Sequence, residues 1–151
     1  MEMNVDFSIA ARYGEQHDLF SQGLKVFRSF IRVLDLFFKK EKYQHAEIKI
    51  DGSAKHEAMV GFCGKKYRIS LVVDPTEPRA AMILLAKMNR NEAVRIGTAV
   101  VADPGSVIFP GDHRVLLKDE YEFIQAVLKF FIDGIGGVPE QASTVRQPAG
   151  R

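Results

Sequence analysis

One stretch of the sequence, from Asp18 to about Lys42, carries more large apolar side chains than a surface helix needs. These residues recur at intervals of three and four, which is the period of an α-helix. They are Leu19, Phe20, Leu24, Phe27, Phe30, Ile31, Leu34, Phe37 and Phe38. Asp18 is the predicted N-cap, because its carboxylate can accept the free N–H groups of the first turn. A stripe this wide requires a broad cover, so we expect a sheet face over it and self-association of the chain.

A shorter pattern with a different period precedes this helix. Val5, Phe7 and Ile9 alternate with polar or small residues, and the alternation continues to Tyr13. A period of two over this length is typical of a half-buried strand. Gly14 follows and is the predicted end of that strand.

The first of two predicted hairpins follows the long helix. Residues 46–50 alternate between apolar and polar side chains, and Asp51-Gly52 is a strong turn signal. A loop of residues 52–54 keeps the apolar residues of both strands on one face of the sheet. This register sets Lys49 opposite Glu57, which is a favourable cross-strand charge pair.

The second hairpin is predicted to turn at Gly64-Lys65. A two-residue loop there sets Phe62 opposite Tyr67 and Val60 opposite Ile69. The apolar residues of all three strands then point to the same face, and Tyr67 becomes a core residue. This agreement between neighbouring strands predicts an antiparallel meander.

Residues 80–88 are predicted to be a strand, with a helix as the alternative. They follow a break at residues 74–78, and they are apolar on every face except at Lys87. Residues 93–101 resemble the return strand of a hairpin, which favours a strand for 80–88. If that segment were helical, the order after the first strand would be α-β-β-β-α-β-β-α. That order is similar to the order in the small dimeric chaperones of type III secretion.

Two short strands and a helix complete the predicted elements. Turns at residues 103–105 and 110–112 bracket a strand at 107–109, and residues 115–117 add an edge strand. The helix begins near Asp119, whose spacing to Glu122 resembles a capping box, and it stops in the glycine cluster from Gly134 to Gly137. Its predicted apolar face consists of Tyr121, Ile124, Val127, Leu128, Phe131 and Ile135.

These elements predict a single α+β domain over residues 1–137. It has an antiparallel sheet of about five to seven strands, with the long helix and the C-terminal helix packed on one face. The predicted core consists of Phe27, Phe30, Ile31, Leu34, Ile48, Val60, Ile69, Leu71, Ile124, Leu128 and Phe131. Residues 138–151 carry few large apolar side chains, and we expect them to form a disordered tail.

Composition limits the class of protein. A chain of 151 residues with 46% hydrophobic residues can bury a substantial core, and a net charge of +2 is too small to indicate a polyanionic ligand. The single cysteine, Cys63, favours a reducing, cytoplasmic location. No signal-peptide pattern and no apolar run near the ~18 residues of a membrane span is present, so we expect no membrane association.

The sequence contains no catalytic motif, and two weak candidates for chemistry stay as alternatives. His45, Glu47 and Asp51 share one strand face and could hold a metal or act as acid and base, as in a metal-dependent hydrolase or nuclease. Cys63 lies beside lysines that could lower its pKa, although a lone cysteine is more often a small buried residue. We expect no cofactor.

Basic residues form the strongest remaining pattern. The polar face of the long helix carries Lys25, Arg28, Arg32 and Lys39, and the second hairpin carries Lys65, Lys66 and Arg68. Basic side chains between aromatic ones can bind a single-stranded nucleic acid, with an affinity that falls steeply as salt rises. Because no catalytic constellation is present, we expect a small non-enzymatic adaptor that binds a protein partner as a homodimer. Nucleic-acid binding is the alternative.

Overall fold

Two helices lie on one face of a seven-stranded antiparallel sheet, as the predicted fold class requires. The computed structural model describes residues 7–50, 55–73, 80–103 and 105–137. In chain order the elements are α1 (Phe7–Lys40), β1 (Ala46–Ile50), β2 (Glu57–Phe62), β3 (Lys65–Val73), β4 (Ala81–Asn89), β5 (Glu92–Asp103), β6 (Ser106–Phe109), β7 (His113–Leu116) and α2 (Glu120–Gly136). Each strand pairs with its neighbour in the chain, so β1 and β7 are the edges of a simple meander.

The predicted first strand is wrong, because residues from Phe7 onwards belong to α1. Its 34 residues give a helix about 51 Å long at 1.5 Å per residue. Tyr13 is 62% exposed and Gly14 is an ordinary helical residue, so neither a half-buried strand nor a turn exists there. Alternation over so few residues cannot separate strand from helix, and Ala10-Ala11-Arg12 favours the helix. Asp18 is therefore an interior residue and not an N-cap.

The faces of the first hairpin are predicted correctly, but its register is wrong. Lys49 pairs with Met59 and not with Glu57, a shift of two residues along β2. A shift by two preserves the side of the sheet to which each residue points, so the apolar face is unchanged. The charge partner of Lys49 is Glu47 on the same strand, at 3.8 Å. The predicted loop of residues 52–54 lies outside the described residues.

The second hairpin is shifted in the same way, because its turn is Cys63-Gly64 and not Gly64-Lys65. Both turn residues have positive φ, 53° for Cys63 and 82° for Gly64, which is the pattern of a type I′ hairpin. Phe62 therefore pairs with Lys65, and Val60 with Tyr67. Tyr67 still points into the core, as predicted, and is 3% exposed.

Residues 81–89 form a strand, which confirms the predicted strand and excludes the chaperone-like order with a helix there. The apolar character of β4 on both faces has a simple cause. Ile83 and Leu85 lie under the helices and are fully buried, whereas Met82 and Leu84 point to the other face of the sheet and are half-buried. Because β3 and β5 flank β4 on both sides, side chains on either of its faces are partly shielded from water, and the strand reads as a continuous apolar run.

Most of the predicted core is buried. Phe27, Phe30, Ile31, Leu34, Val60, Ile69, Leu71 and Phe131 are at most 4% exposed. Ile48 and Leu128 are only half-buried. Ile124 is 38% exposed, so its assignment to the core is wrong.

The buried face of α2 is rotated from the predicted one. Its buried residues are Phe123, Ala126, Val127, Phe130, Phe131 and Gly134, whereas Tyr121 is 78% exposed. Apolar residues surround most of this helix, so the choice of face depends on where small residues allow close approach. The predicted capping box is also absent: Asp119 is the N-cap residue, but its side chain makes no capping hydrogen bond.

Glycines set the distance between the helices and the sheet. A Cβ atom at Gly134 would lie 2.6 Å from Leu85 Cδ2, and one at Gly97 would lie 3.1 Å from the Phe130 ring. A β-bulge between β4 and β5 at Leu85 and Ala86 brings both Ile96 and Gly97 toward α2. Gly134 is therefore a packing residue inside α2 and does not end it.

Two glycine substitutions in α1 should change stability in opposite directions. A Cβ at Gly23 would lie 2.9 Å from both Ala81 Cβ and Leu71 Cδ1, so Gly23→Ala should lower the free energy of unfolding by about 1–3 kcal/mol. At Gly14 no atom lies within 4 Å of the new Cβ, and Gly14→Ala should raise it by about 0.5–1 kcal/mol through helix propensity. Urea denaturation measures both. A stabilising Gly23→Ala would contradict the close contact of α1 with β3 and β4.

Candidate functional site

A groove of about 570 Å³ runs between α1 and α2 and opens to solvent. Val33, Leu36 and Phe37 form its apolar wall on α1, and Ile124 and Leu128 form the wall on α2. Leu36 is 57% exposed and Ile124 is 38% exposed. We call this feature the helix groove. Its apolar walls suit the side chains of another protein surface better than a polar small molecule.

The apolar wall of α2 continues along that helix. Tyr121, Ile124, Leu128 and Ile132 follow at intervals of three and four residues, so they share one face of α2. Tyr121 is 78% exposed and Ile132 is 51% exposed. Leu36 of α1 lines the same groove as Ile124 and Leu128, so this apolar strip of α2 meets α1 there and marks an interaction surface.

The two helices that form the groove carry opposite charge. From residue 25 to residue 40, α1 has five basic residues and one acidic residue: Lys25, Arg28, Arg32, Lys39, Lys40 and Asp35. α2 has three acidic residues and one basic residue: Glu120, Glu122, Asp133 and Lys129. Arg32 and Lys40 border the groove on the α1 side, Glu41 borders it directly after the end of α1, and Glu120 borders it on the α2 side. An apolar strip thus lies between a basic helix and an acidic one.

The basic residues predicted on α1 are exposed, as expected. Lys25, Arg28, Arg32 and Lys39 point away from the sheet, and Arg32 borders the helix groove. Lys39 pairs with Asp35 one helical turn earlier, with 3.0 Å between Nζ and Oδ2. Such an exposed pair contributes only a few tenths of a kcal/mol, about 0.3–0.5.

The basic residues predicted on the second hairpin lie elsewhere. Lys66 pairs with Gly61 and Arg68 with Met59, and both side chains point to the sheet face opposite the helices. Tyr67, between them, points to the helices, and its ring lies 6.0 Å from that of Phe131. Burial raises the pKa of Tyr67, with a smaller contribution from Cys63. The predicted basic residues therefore occupy two surfaces on opposite sides of the sheet, and Lys65 lies at the turn between them.

The predicted metal or acid–base face is only partly described. Glu47 points away from the helices on β1 and pairs with Lys49, and the backbone carbonyl of His45 accepts a hydrogen bond from the Cys63 N–H at 2.8 Å. Asp51 lies outside the described residues. Within the described ranges, no three His, Cys, Asp or Glu side chains are close enough to hold a metal ion.

Cys63 is exposed, so the expectation of a small buried residue is wrong. It occupies the first position of the β2–β3 turn with φ of 53°, a position that requires a left-handed backbone. The turn geometry thus places the thiol in solvent.

Three polar residues converge where β5, β6 and β7 meet. Asp103 accepts a hydrogen bond from the Gly105 N–H at 2.9 Å, and Arg114 donates one to Ser106 Oγ at 3.1 Å. The Arg114 guanidinium also lies 3.6 Å from the Asp103 carboxylate. Because these groups bond to one another, the cluster stabilises this edge of the sheet and does not present free groups for catalysis.

The pKa of Asp103 should lie below its ordinary value of 3.8. The causes are the Gly105 N–H first, then the Ser106 hydroxyl, with a smaller contribution from Arg114. This interaction stabilises the fold above the pKa of the unfolded chain and is lost as pH falls through the lower, folded pKa. An NMR titration of the Asp103 carboxyl carbon measures it, and Arg114→Gln should raise that pKa partway. A wild-type value at or above 3.8 would contradict this geometry.

Sequence reasoning missed the apolar members of the site. Leu36 and Ile132 belonged to no predicted surface, and Ile124 and Leu128 were assigned to the core. One available signal was the number of apolar residues on α2. They lie on more sides of the helix than a single packing contact can bury. The sequence also showed that α2 carries mostly acidic residues and α1 mostly basic ones.

No protein-family model, curated protein or solved structure matches this chain. Neither α1 nor α2, over the residues that are described, is long and apolar enough to cross a membrane.

Proposed function

We propose that this chain is a non-enzymatic protein-binding module that acts as a homodimer joined through the helix groove. The observation that carries the proposal is the solvent-open apolar strip of Leu36, Ile124 and Ile132 between a basic helix and an acidic one. A monomer that leaves this strip in water pays a free-energy penalty that burial against a partner removes.

A second copy is the occupant that fits best. In a two-fold dimer the same patch meets itself, so α1 of one protomer can cross α2 of the other. Arg32 and Lys40 of one copy then approach Glu120 of its partner, and the reverse contact occurs across the axis. Opposite charges on the two halves of one patch make that patch complementary to itself.

We place the protein in a reducing compartment, as its cysteine content suggests. Cys63 is exposed, and an exposed thiol stays free most easily in the cytoplasm.

Both alternatives have less support. A nucleic-acid surface would combine the predicted basic residues, but these divide between two sides of the sheet, and Tyr67 is unavailable for stacking because it is buried. A metal-dependent hydrolase would need further ligands beside Glu47, whose described charge partner is Lys49.

The apolar strip can be tested by replacing its large apolar side chains with serine. Light scattering at tens of micromolar should give a dimer mass for the wild type, and Leu36→Ser or Ile124→Ser should weaken the dimer about tenfold or more, because each removes buried apolar area. Ile50→Ser is a matched control, since Ile50 is 51% exposed but lies on the edge strand β1. A monomeric wild type would contradict the proposal, and dissociation by Ile50→Ser alone would move the interface to the sheet edge.

A charge exchange tests the two-fold arrangement. Arg32→Glu and Glu120→Arg should each weaken the dimer, because each sets like charges against each other across the interface. The double variant restores an opposite pair and should recover most of the lost affinity. Sedimentation equilibrium compares the four proteins. If the double variant loses as much dimer affinity as the two single variants together, these residues do not meet across the interface.

A further inference from the structure

The sheet face opposite the helices is a second surface with its own chemistry. Side chains alternate between the two faces of a strand, so the strand register assigns each residue to a face. On β3 to β6 the residues that point away from the helices include Val72, Met82, Val100 and Ile108. We call this side of the sheet the open face, because neither α1 nor α2 covers it.

An apolar row crosses the open face. Val72 pairs with Met82, Met82 with Val100, and Val100 with Ile108, so four apolar side chains lie side by side across four strands. All four are half-buried, although no described element packs over them. The row is wide enough to receive the apolar side of an extended or helical segment.

Methionines extend this apolar surface. The described methionines are Met59, Met82 and Met88, and the register points all three to the open face. Met59 is 36% exposed. Methionine side chains are flexible and polarizable, and they are common on surfaces that adapt to a protein ligand.

Basic residues occupy the end of the open face near the β2–β3 turn. Arg68 pairs with Ala86, and Ala86 pairs with Arg95, so two guanidinium groups share one row. Lys66 lies one row further along and is exposed. The described strands also turn three acidic residues to this face, namely Glu47, Glu57 and Asp103. Its basic residues are Lys49, Lys66, Arg68, Arg95 and Arg114, five against three, so the face keeps an excess of positive charge.

Arg68 is half-buried, whereas Lys66 and Arg95 are exposed. The Nε atom of Arg68 is buried and has no hydrogen-bond partner among the described residues. A buried donor without an acceptor destabilises the fold. A carboxylate delivered to this row would pair with the guanidinium of Arg68 and compensate its charge.

The occupant can be narrowed by charge and by residue type. A second copy would bring another basic face, and residues 138–151 contain two arginines against one glutamate, so both would add like charge. No aromatic side chain points to the open face from the described strands, and binding of single-stranded nucleic acid depends on such rings. An acidic protein segment with one apolar side meets both the apolar row and the basic row.

We infer that the open face binds an acidic amphipathic segment of a partner protein. Its apolar side chains contact Met82 and Val100, and its carboxylates pair with Arg68 and Lys66. The inference rests on the proposed function in one respect, that the chain is a protein-binding module. It adds the chemical class of the partner. The binding surface is separate from the helix groove, so each copy of a dimer presents one open face.

Methionine methyl groups provide built-in reporters. The full chain, labelled with ¹³C at the methionine methyls, is titrated with a synthetic amphipathic peptide of leucine and glutamate. A matched peptide of leucine and lysine and a single-stranded oligonucleotide serve as comparisons. The signals of Met59, Met82 and Met88 should shift with the glutamate peptide only. Absence of a shift with that peptide, or equal shifts with the lysine peptide, would overturn the inference, and larger shifts with the oligonucleotide would reassign the face to nucleic acid.

Two adjacent lysines provide a matched pair of variants. Lys66→Glu reverses a charge on the open face and should weaken the glutamate peptide about tenfold. Lys65→Glu makes the same change at the neighbouring residue, which points to the other side of the strand, and should have a much smaller effect. Equal losses for both variants would mean general charge attraction and would contradict a defined site. Met82→Ser should weaken the peptide as well, and its failure to do so would remove the apolar row from the site.

The same samples separate this inference from the homodimer. Leu36→Ser should lose dimer mass but keep its affinity for the peptide, whereas Lys66→Glu should lose peptide affinity but keep dimer mass. Peptide binding by a wild-type protein that is monomeric would refute the dimer but would support the open face as the peptide-binding surface. A change of dimer mass in Lys66→Glu would identify a second copy as the occupant. If deletion of residues 138–151 shifts the methionine signals of the free protein, the tail is the occupant of the open face.

Discussion

The contact between α1 and the inner face of the sheet is the interaction on which the rest of the structure depends. Phe30 lies 5.4 Å from Phe130 of α2 and 6.1 Å from Phe109 of β6, measured between ring centroids, so one side chain joins both helices to the sheet. Phe38 makes a similar junction with Phe62 and Phe131. Buried rings of this kind contribute large apolar areas and well-defined edge-to-face contacts. Because these rings belong to the start, middle and end of the chain, they close the meander into one unit.

This arrangement creates two surfaces with different chemistry. Placing both helices on one face buries the inner side of the sheet but leaves the outer side of the helices and the opposite side of the sheet in solvent. On the helices, an apolar strip with Leu36 lies between basic α1 and acidic α2, which suits a surface that meets itself. On the sheet, the apolar row with Met82 adjoins basic residues, which suits an acidic partner. The two proposed contacts therefore use separate surfaces and do not compete with each other.

Local sequence chemistry predicted the elements better than their alignment. The fold class, the meander, strand β4, the two short strands near residues 107 and 115, and the inward direction of Tyr67 follow from periodicity and turn residues. Both hairpin registers were wrong by two residues, since the face of the sheet constrains only the parity of a register. The positive φ of Cys63 set the true turn, and a cysteine at that position carries a weaker turn signal than Gly64 beside it.

The sequence by itself determined where apolar residues recur and at what period, and hence a long helix, an antiparallel sheet and a closing helix on one face. It also placed basic residues on the outer side of α1, because a helical period separates polar from apolar faces without further information. Only the tertiary structure decided which apolar residues stay exposed. Ile124 and Phe123 are neighbours of similar polarity, yet Gly97 and Gly134 bring the other side of α2 to the sheet and leave Ile124 in the helix groove. Likewise, the alternation around Tyr67 already turned Lys66 and Arg68 to the outer side, but only the tertiary structure set Arg68 in one row with Arg95, because strand pairing joins residues that are distant in sequence.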